Sequence, residues 1–190
     1  MKGSVGDLFI TQPLIKGKGV FGDVVSSCSV GSKSLSQRYD SQFPFLEAIR
    51  QLRLEIGREH AINIHVTLVP YINAAGEMKT KPTQHSVAAL RQVGIQPDIL
   101  LCRCDRNLPA ELKAKIGLFC NVPTEHVISA RDVANIYGLP SEFHAEGLDA
   151  AVVELLNIWS REPDLGPWDE IVQKALSPDG EVTIGIVGKC

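Results

Sequence analysis

No run of about 18 apolar residues occurs in the 190-residue chain, so nothing in the sequence crosses a bilayer as a helix. Charge of one sign is also lacking. The 19 Lys and Arg stand against 22 Asp and Glu, a net charge of −3, which leaves no overall field drawing the chain to nucleic acid or an anionic membrane. Any phosphate binding therefore has to be local. Cysteine pairs at zinc-ligand spacing are missing too: Cys28, Cys102, Cys104, Cys120 and Cys190 are odd in number and scattered, with no secretory apolar segment ahead of them. Reduced thiols in a cytoplasmic protein are expected, and Cys102 with Cys104 are expected to be small buried or loop thiols rather than the start of a metal site. There is no internal repeat, heptad pattern or basic patch.

What is present fits one α/β domain. Hydrophobic residues make up 44% and charged residues 22%, ordinary for a chain that buries a single core. Residues 1 to 42 differ from the rest, with six Gly and eight Ser and no sustained periodicity, and they are expected to be poorly ordered. From residue 43 onward the pattern alternates. Pro44 suits a first helical position, and Phe45, Ile49, Leu52 and Ile56 share one face, which predicts a helix over 44 to 59. The β-branched run at 62 to 69, stopped by Pro70, predicts a strand. An eleven-residue loop over 71 to 81 then leads to a helix opening at Pro82, with Val87, Leu90 and Val93 on one stripe and Gly94 at its end.

Further strands are expected at 98 to 102, 126 to 129 and 182 to 187, and helices at 109 to 119, 147 to 158 and 167 to 176. Strands separated by helices imply parallel pairing, hence a doubly wound, mostly parallel α/β sheet whose ligands lie beyond the carboxyl ends of the strands. The loops at 70 to 81, 103 to 108 and 129 to 132 are the places this rule selects.

The first of these loops carries the chemistry. In Glu77-Met78-Lys79-Thr80-Lys81-Pro82-Thr83-Gln84-His85-Ser86, two lysines precede a helix start, where unpaired amides and the positive dipole end favour an anion. Thr83 and Gln84 supply first-turn amides and side chains that could bond a phosphate or a base edge. A solvated lysine-rich junction with a capping threonine fits the same residues, and the residues alone leave both readings open. His65, within a strand, is expected at the core edge with a backbone partner. His85 is left without a role.

The stretch Lys79-Thr80-Lys81-Pro82-Thr83-Gln84-His85-Ser86 resembles the UTP- and CTP-binding motif of CTP synthases. Pro44 to Gln51, His65 to Pro70, Gly94 to Leu100 and Lys115 to Val122 resemble the same family, and Val182 to Lys189 is similar to the first strand of its glutaminase domain. The resemblance implies an incomplete sheet of the P-loop NTPase, dethiobiotin synthetase-like type. It divides the chain into a non-family segment (1 to 42), the C-terminal part of the synthetase domain (43 to 181) and the beginning of a glutaminase domain (182 to 190). It implies UTP and CTP contacts at Lys79, Thr80, Lys81, Pro82, Thr83, Gln84 and Lys115, and adenine contacts with ATP at Arg131, Asp132 and Val133. The implied reaction is ATP-dependent amination of UTP to CTP with ammonia from glutamine, in a cytoplasmic enzyme that uses Mg²⁺ and forms tetramers.

Two family elements are not found. The phosphate loop Gly-Gly-Val-Val-Ser-Ser-Leu-Gly-Lys-Gly is echoed only by Gly22-Asp23-Val24-Val25-Ser26-Ser27, after which Cys28 to Lys33 departs from the pattern, and no G-x-x-x-x-G-K-[ST] occurs. Where acidic Mg²⁺ ligands are expected before Pro44, Gln37-Arg38-Tyr39-Asp40-Ser41-Gln42 stands instead. The expectation is a CTP synthase fragment that binds nucleotide and is inactive alone, with a non-catalytic nucleotide-binding or assembly module, or a frameshifted gene remnant, as the alternatives. The expected loss of a central first strand predicts exposed sheet edges and marginal stability.

Overall fold

A computed structural model describes residues 10–15, 35–178, 180–185 and 187–188, with the backbone path alone for 10–15 and 35–43. In chain order the elements are β1 (Ile10–Ile15), α1 (Leu35–Ile56), β2 (Ala61–Leu68), β3 (Tyr71–Ile72), β4 (Glu77–Met78), α2 (Lys81–Gln92), β5 (Ile99–Cys104), α3 (Ala110–Cys120), β6 (Val127–Arg131), α4 (Leu139–Ala145), α5 (Leu148–Leu155) and α6 (Gly166–Leu176). The Gly22 to Ser27 stretch, Cys28, Ile186, Lys189 and Cys190 lie outside the described residues.

The main sheet has the order β1-β2-β5-β6, with β2, β5 and β6 parallel and β1 antiparallel to β2. Helices cover both faces, as a doubly wound α/β architecture requires, because strands buried on two sides present apolar residues in both directions. Along β5, Leu100, Cys102 and Cys104 join Val87 of α2 and Ile116 and Cys120 of α3 in one core. Ile99 and Leu101 point the other way, with Ile62, Ile128, Phe143, Ala151 and Leu156. The stripe Val87, Leu90, Val93 is buried throughout, at 0%, 2% and 9% exposure.

Several elements depart from the sequence reading. α1 begins at Leu35 and carries Pro44 in its interior rather than at its start. Only part of its expected stripe is buried: Ile49 packs with Leu46, Leu90 and Ile95, while Phe45 is 64% exposed. Segments 10–15 and 35–42 of the stretch expected to lack order form β1 and the first turns of α1. β1 pairs from Ile10↔Val66 to Ile15↔Ala61, so the β2 edge expected to be bare has a partner strand. The strand expected over 182 to 187 is not formed among its described residues. Val182 and Ile184 are 86% and 80% exposed, and a strand without a neighbour leaves its amides and carbonyls to water.

Close approach explains one glycine in particular. A Cβ on Gly117 would sit 2.7 Å from the Val122 carbonyl oxygen, where α3 turns back through Asn121 in the left-handed region at φ 55°.

The face of β2 turned toward α2 is polar, with Asn63, His65 and Thr67 all buried. His65 Nε2 lies 2.8 Å from the Ser86 hydroxyl of α2, which ties the strand to the helix through side chains. Burial pushes the His65 imidazole down to about 4. An unfolded histidine protonates near 6.5 whereas this one stays neutral, so stability is full above about pH 6.5 and falls as pH drops toward about 4. The unfolding free energy of the wild type, from urea titration, should fall across this window more than that of His65→Gln, by on the order of 2 to 3 kcal/mol; parallel profiles would contradict this. Leu100→Ala, at a fully buried position, should lower stability by about 2–5 kcal/mol in the same assay, against at most about 0.5 kcal/mol for Leu118→Ala, which is 78% exposed.

Candidate functional site

The three parallel strands finish along one edge of the sheet, at Leu68, Cys104 and Arg131. Hydrogen bonds tie the ends together: the Val69 amide donates to the Arg103 carbonyl at 2.9 Å, and the Asp132 amide donates to the Cys104 carbonyl at 3.0 Å. Beyond this edge lie the three segments selected by the strand-end rule.

The first is more ordered than a plain loop. Residues 71 to 78 form the β3–β4 hairpin, with Tyr71 opposite Met78 and Ile72 opposite Glu77. Gly76, at φ +64°, makes the turn possible. The Lys79 amide donates back to the Pro70 carbonyl at 2.9 Å, which brings the chain to the start of α2 directly beyond the end of β2. The Arg106 guanidinium stacks 3.4 Å from the Tyr71 ring centroid, joining the hairpin to the loop after β5.

α2 starts at Lys81, one residue earlier than expected, with Pro82 in its first turn and no side-chain cap on its amides. The amides of Lys81 and Thr83 thus belong to the first-turn donors that an α-helix leaves without carbonyl partners. The Gln84 amide is already engaged, donating to the Thr80 carbonyl at 3.1 Å. The side chain expected to reach a ligand from Thr83 is also turned inward. Its hydroxyl donates to the Leu68 carbonyl at 3.0 Å and accepts from the Thr67 hydroxyl at 3.2 Å, and Thr83 is fully buried. Thr80 is 5% exposed, its hydroxyl accepting from the Gln84 side-chain amide at 3.1 Å. These two threonines anchor the helix start rather than present hydroxyls to solvent.

The cations are placed differently. Lys79 is half-buried and ion-paired with Glu77, while Lys81 and Lys115 are exposed, with no carboxylate in ion-pair range among the described residues. Lys115 of α3 nonetheless lies near the hairpin. The Glu77 carboxyl is held below the usual carboxylate range by Lys79 first and by the charge of Lys115 last. Lys79 and Lys81 flank the uncapped start of α2, and Lys115 lies close enough to the hairpin for its charge to act on Glu77.

Arg131, Asp132 and Val133 stand at the far side of the same edge, after β6. Arg131 is ion-paired with Glu142 of α4, its Nε donating at 3.2 Å, and Arg103 Nε donates to Asp132 Oδ1 at 3.0 Å. The Glu142 carboxylate beside Arg131 holds the guanidinium pKa above its ordinary value. Behind them, Glu146 accepts from Lys113 at 2.7 Å and from the Ser129 amide at 2.8 Å. Burial pushes this carboxyl up, but those hydrogen bonds outweigh it, and the group lies below its ordinary value. Reading the sequence did not single out Arg103 or Arg106 as members of this edge, nor the pairing of Glu77 with Lys79. The strand-end rule does select the loop at 103 to 108, and there the alternation of Arg and Asp is the visible signal.

The described residues do not fit a Mg²⁺ site. Glu77, Asp105, Asp132 and Glu142, the carboxylates along this edge, are each matched to Lys79, Arg106, Arg103 and Arg131, and no group of three or more His, Cys, Asp or Glu able to hold an ion occurs among the described residues. Cys102, Cys104 and Cys120 are buried, and burial pushes their thiols up, to about 11 for Cys104 and Cys120. No helix among the described residues is long and apolar enough to cross a membrane.

The amino-acid sequence has known relatives. A family profile described as the CTP synthase N-terminus matches residues 39–158. The protein named CTP synthase from Rhizorhabdus wittichii is 61% identical over 147 residues, and that from Geobacter sulfurreducens is 59% identical over 147, each match covering 77% of this chain. The CTP synthase of Syntrophus aciditrophicus is 60% identical over 146 residues. The matched segment is 27% of each relative, so the chain spans about a quarter of the length of the relatives it matches. By these matches across well over half of its residues, the chain belongs to the CTP synthase family, within that family's N-terminal domain.

Proposed function

We propose that this domain holds a pyrimidine nucleoside triphosphate, UTP or CTP, at the mouth of α2, as part of a CTP synthase-type ligase that aminates UTP at the expense of ATP. The observation that supports the reading is a helix start with no side-chain cap, just beyond the end of β2, flanked by Lys79 and Lys81, with Lys115 near enough to act on Glu77 of the adjoining hairpin. A triphosphate brings about four negative charges, which suits three ammonium groups, free first-turn amides and a positive dipole end. Within this reading Lys79, Lys81 and Lys115 contact phosphates, and Gln84 reaches the base. Pro82 fixes the first turn, and Thr80 and Thr83 position it through the hydrogen bonds described above.

ATP is assigned to the other side of the edge, its adenine against Arg131, Asp132 and Val133, with Glu142 and Arg103 orienting the two charged members. No phosphate loop is legible in the sequence, and the carboxylates of this edge are already paired with cations. Nucleotide binding without turnover by these 190 residues alone is therefore part of the proposal. The exposed pair Leu118 and Phe119, on the same helix as Lys115, supports assembly with further copies as in the tetrameric family members.

Calorimetric titration with CTP and UTP tests the binding. Lys81→Ala and Lys115→Ala should each weaken the complex by about tenfold or more, the loss expected for one charge-assisted hydrogen bond, without shifting the thermal midpoint appreciably. Unchanged affinity in both variants would remove the assignment. Incubating the purified chain with UTP, ATP, Mg²⁺ and ammonium should yield no CTP by chromatography, and accumulation of CTP would contradict the absence of turnover.

A further inference from the structure

β6 is the last strand of the sheet among the described residues, so one of its two sides has no neighbouring strand. Its inner side pairs with β5, from Leu100↔Val127 to Cys104↔Arg131, and the Asp132 amide extends that ladder by donating to the Cys104 carbonyl at 3.0 Å. On the outer side the Ser129 amide donates to Glu146 Oε2 at 2.8 Å, where a further strand would offer a carbonyl. Ser129 is 2% exposed, so without this carboxylate its amide would be buried with no acceptor in place.

Glu146 is mounted so that its direction is set. Its own amide donates to the Glu142 carbonyl at 3.1 Å at the end of α4, and Gly147, at φ +83°, turns the chain directly into α5. Lys113 of α3 donates to the same Oε2 at 2.7 Å. At 21% and 22% side-chain exposure the two charges are shielded enough to keep their geometry, which an ion pair in open water does not. One turn earlier, Glu142 pairs with Arg131. Four residues along a helix advance about 6 Å and two along a strand about 6.6 Å, so carboxylates at 142 and 146 match strand positions 131 and 129.

We propose that Glu146 is a positioning residue for ATP: it caps the outer edge of β6 and so fixes the Arg131-Asp132-Val133 loop in the conformation that receives adenine. The role rests on the proposed assignment of adenine to this loop. Held by β5 alone, the end of the strand is free to lift, and the loop after it spreads over several conformations. Held from both sides it keeps one, so ATP binding loses less to ordering. Lys113 keeps the carboxylate aimed at the edge. The α2 start, with Lys79 and Lys81, is pinned separately through the Thr83 hydroxyl and the Leu68 carbonyl.

Calorimetric titration of the full chain and its variants with ATP and with CTP tests this. Glu146→Leu should weaken ATP binding about tenfold and leave CTP unchanged, whereas Glu146→Gln, whose side-chain carbonyl still accepts from the Ser129 amide, should bind ATP within about threefold of the wild type. A role confined to stability would instead lower the thermal midpoint and leave the ATP affinity of the folded protein where it was. Hydrogen exchange reads the loop without ligand: the Asp132 amide should exchange about tenfold faster in Glu146→Leu, while the Lys79 amide, bonded to the Pro70 carbonyl, keeps its rate. If Glu146→Leu does not fold, Lys113→Gln takes its place with an expected loss of about threefold for ATP, and unchanged affinity there overturns the proposal. So does equal ATP affinity in wild type and Glu146→Leu, or an equal loss in the Leu and Gln variants. A wild type that does not bind ATP overturns both the adenine assignment and this role, whereas normal ATP binding with unchanged Asp132 exchange in Glu146→Leu overturns the cap alone.

Discussion

Everything at the candidate nucleotide site depends on how the start of α2 is pinned to the end of β2. The interface between them is held by polar side chains where a doubly wound sheet ordinarily has aliphatic ones. The Thr83 hydroxyl caps the Leu68 carbonyl, Thr67 donates to Thr83, and His65 meets Ser86 one turn further along the helix. Apolar packing of Val87 and Leu90 supplies burial but little directional control. Hydrogen bonds of fixed geometry set where the helix begins, and that determines where its unpaired amides and the flanking lysines point. A neutral His65 belongs to the same arrangement, since a buried imidazolium would lack the solvation that charge requires.

Charge is distributed along the sheet edge in matched pairs with a small cationic remainder. Glu77, Asp105, Asp132 and Glu142 each stand beside a basic residue, leaving Lys81 and Lys115 without an ion-paired carboxylate among the described residues. A chain of net charge −3 can therefore present a local site for a polyanion.

Much of this was legible from residue pattern, and the exceptions have physical causes. The stripe Val87, Leu90, Val93 declared α2 because a helix packed on a sheet repeats its apolar contacts every three to four residues. The same rule overreached at α1, where Phe45 is exposed and the helix runs through Pro44, because periodicity does not say what lies opposite each face. β1 escaped notice since its pairing is decided by the open edge of β2 rather than by its own composition. The apolar run at 182 to 187 has strand propensity but no neighbour, and propensity alone does not order a strand. At the site, the lysines and Pro82 were readable from their place before a helix. The inward turn of Thr83 was not, because it depends on the Leu68 carbonyl, a backbone group brought near only by the fold.

The claim that the α2 start grips a nucleotide's phosphates is tested most directly by following backbone amide resonances during titration with CTP. The amides of Lys81 and Thr83, together with that of Lys115, should show the largest shifts and saturate together, while those of α6 stay in place. Saturable binding that leaves the Lys81 and Thr83 amides unmoved would contradict the account.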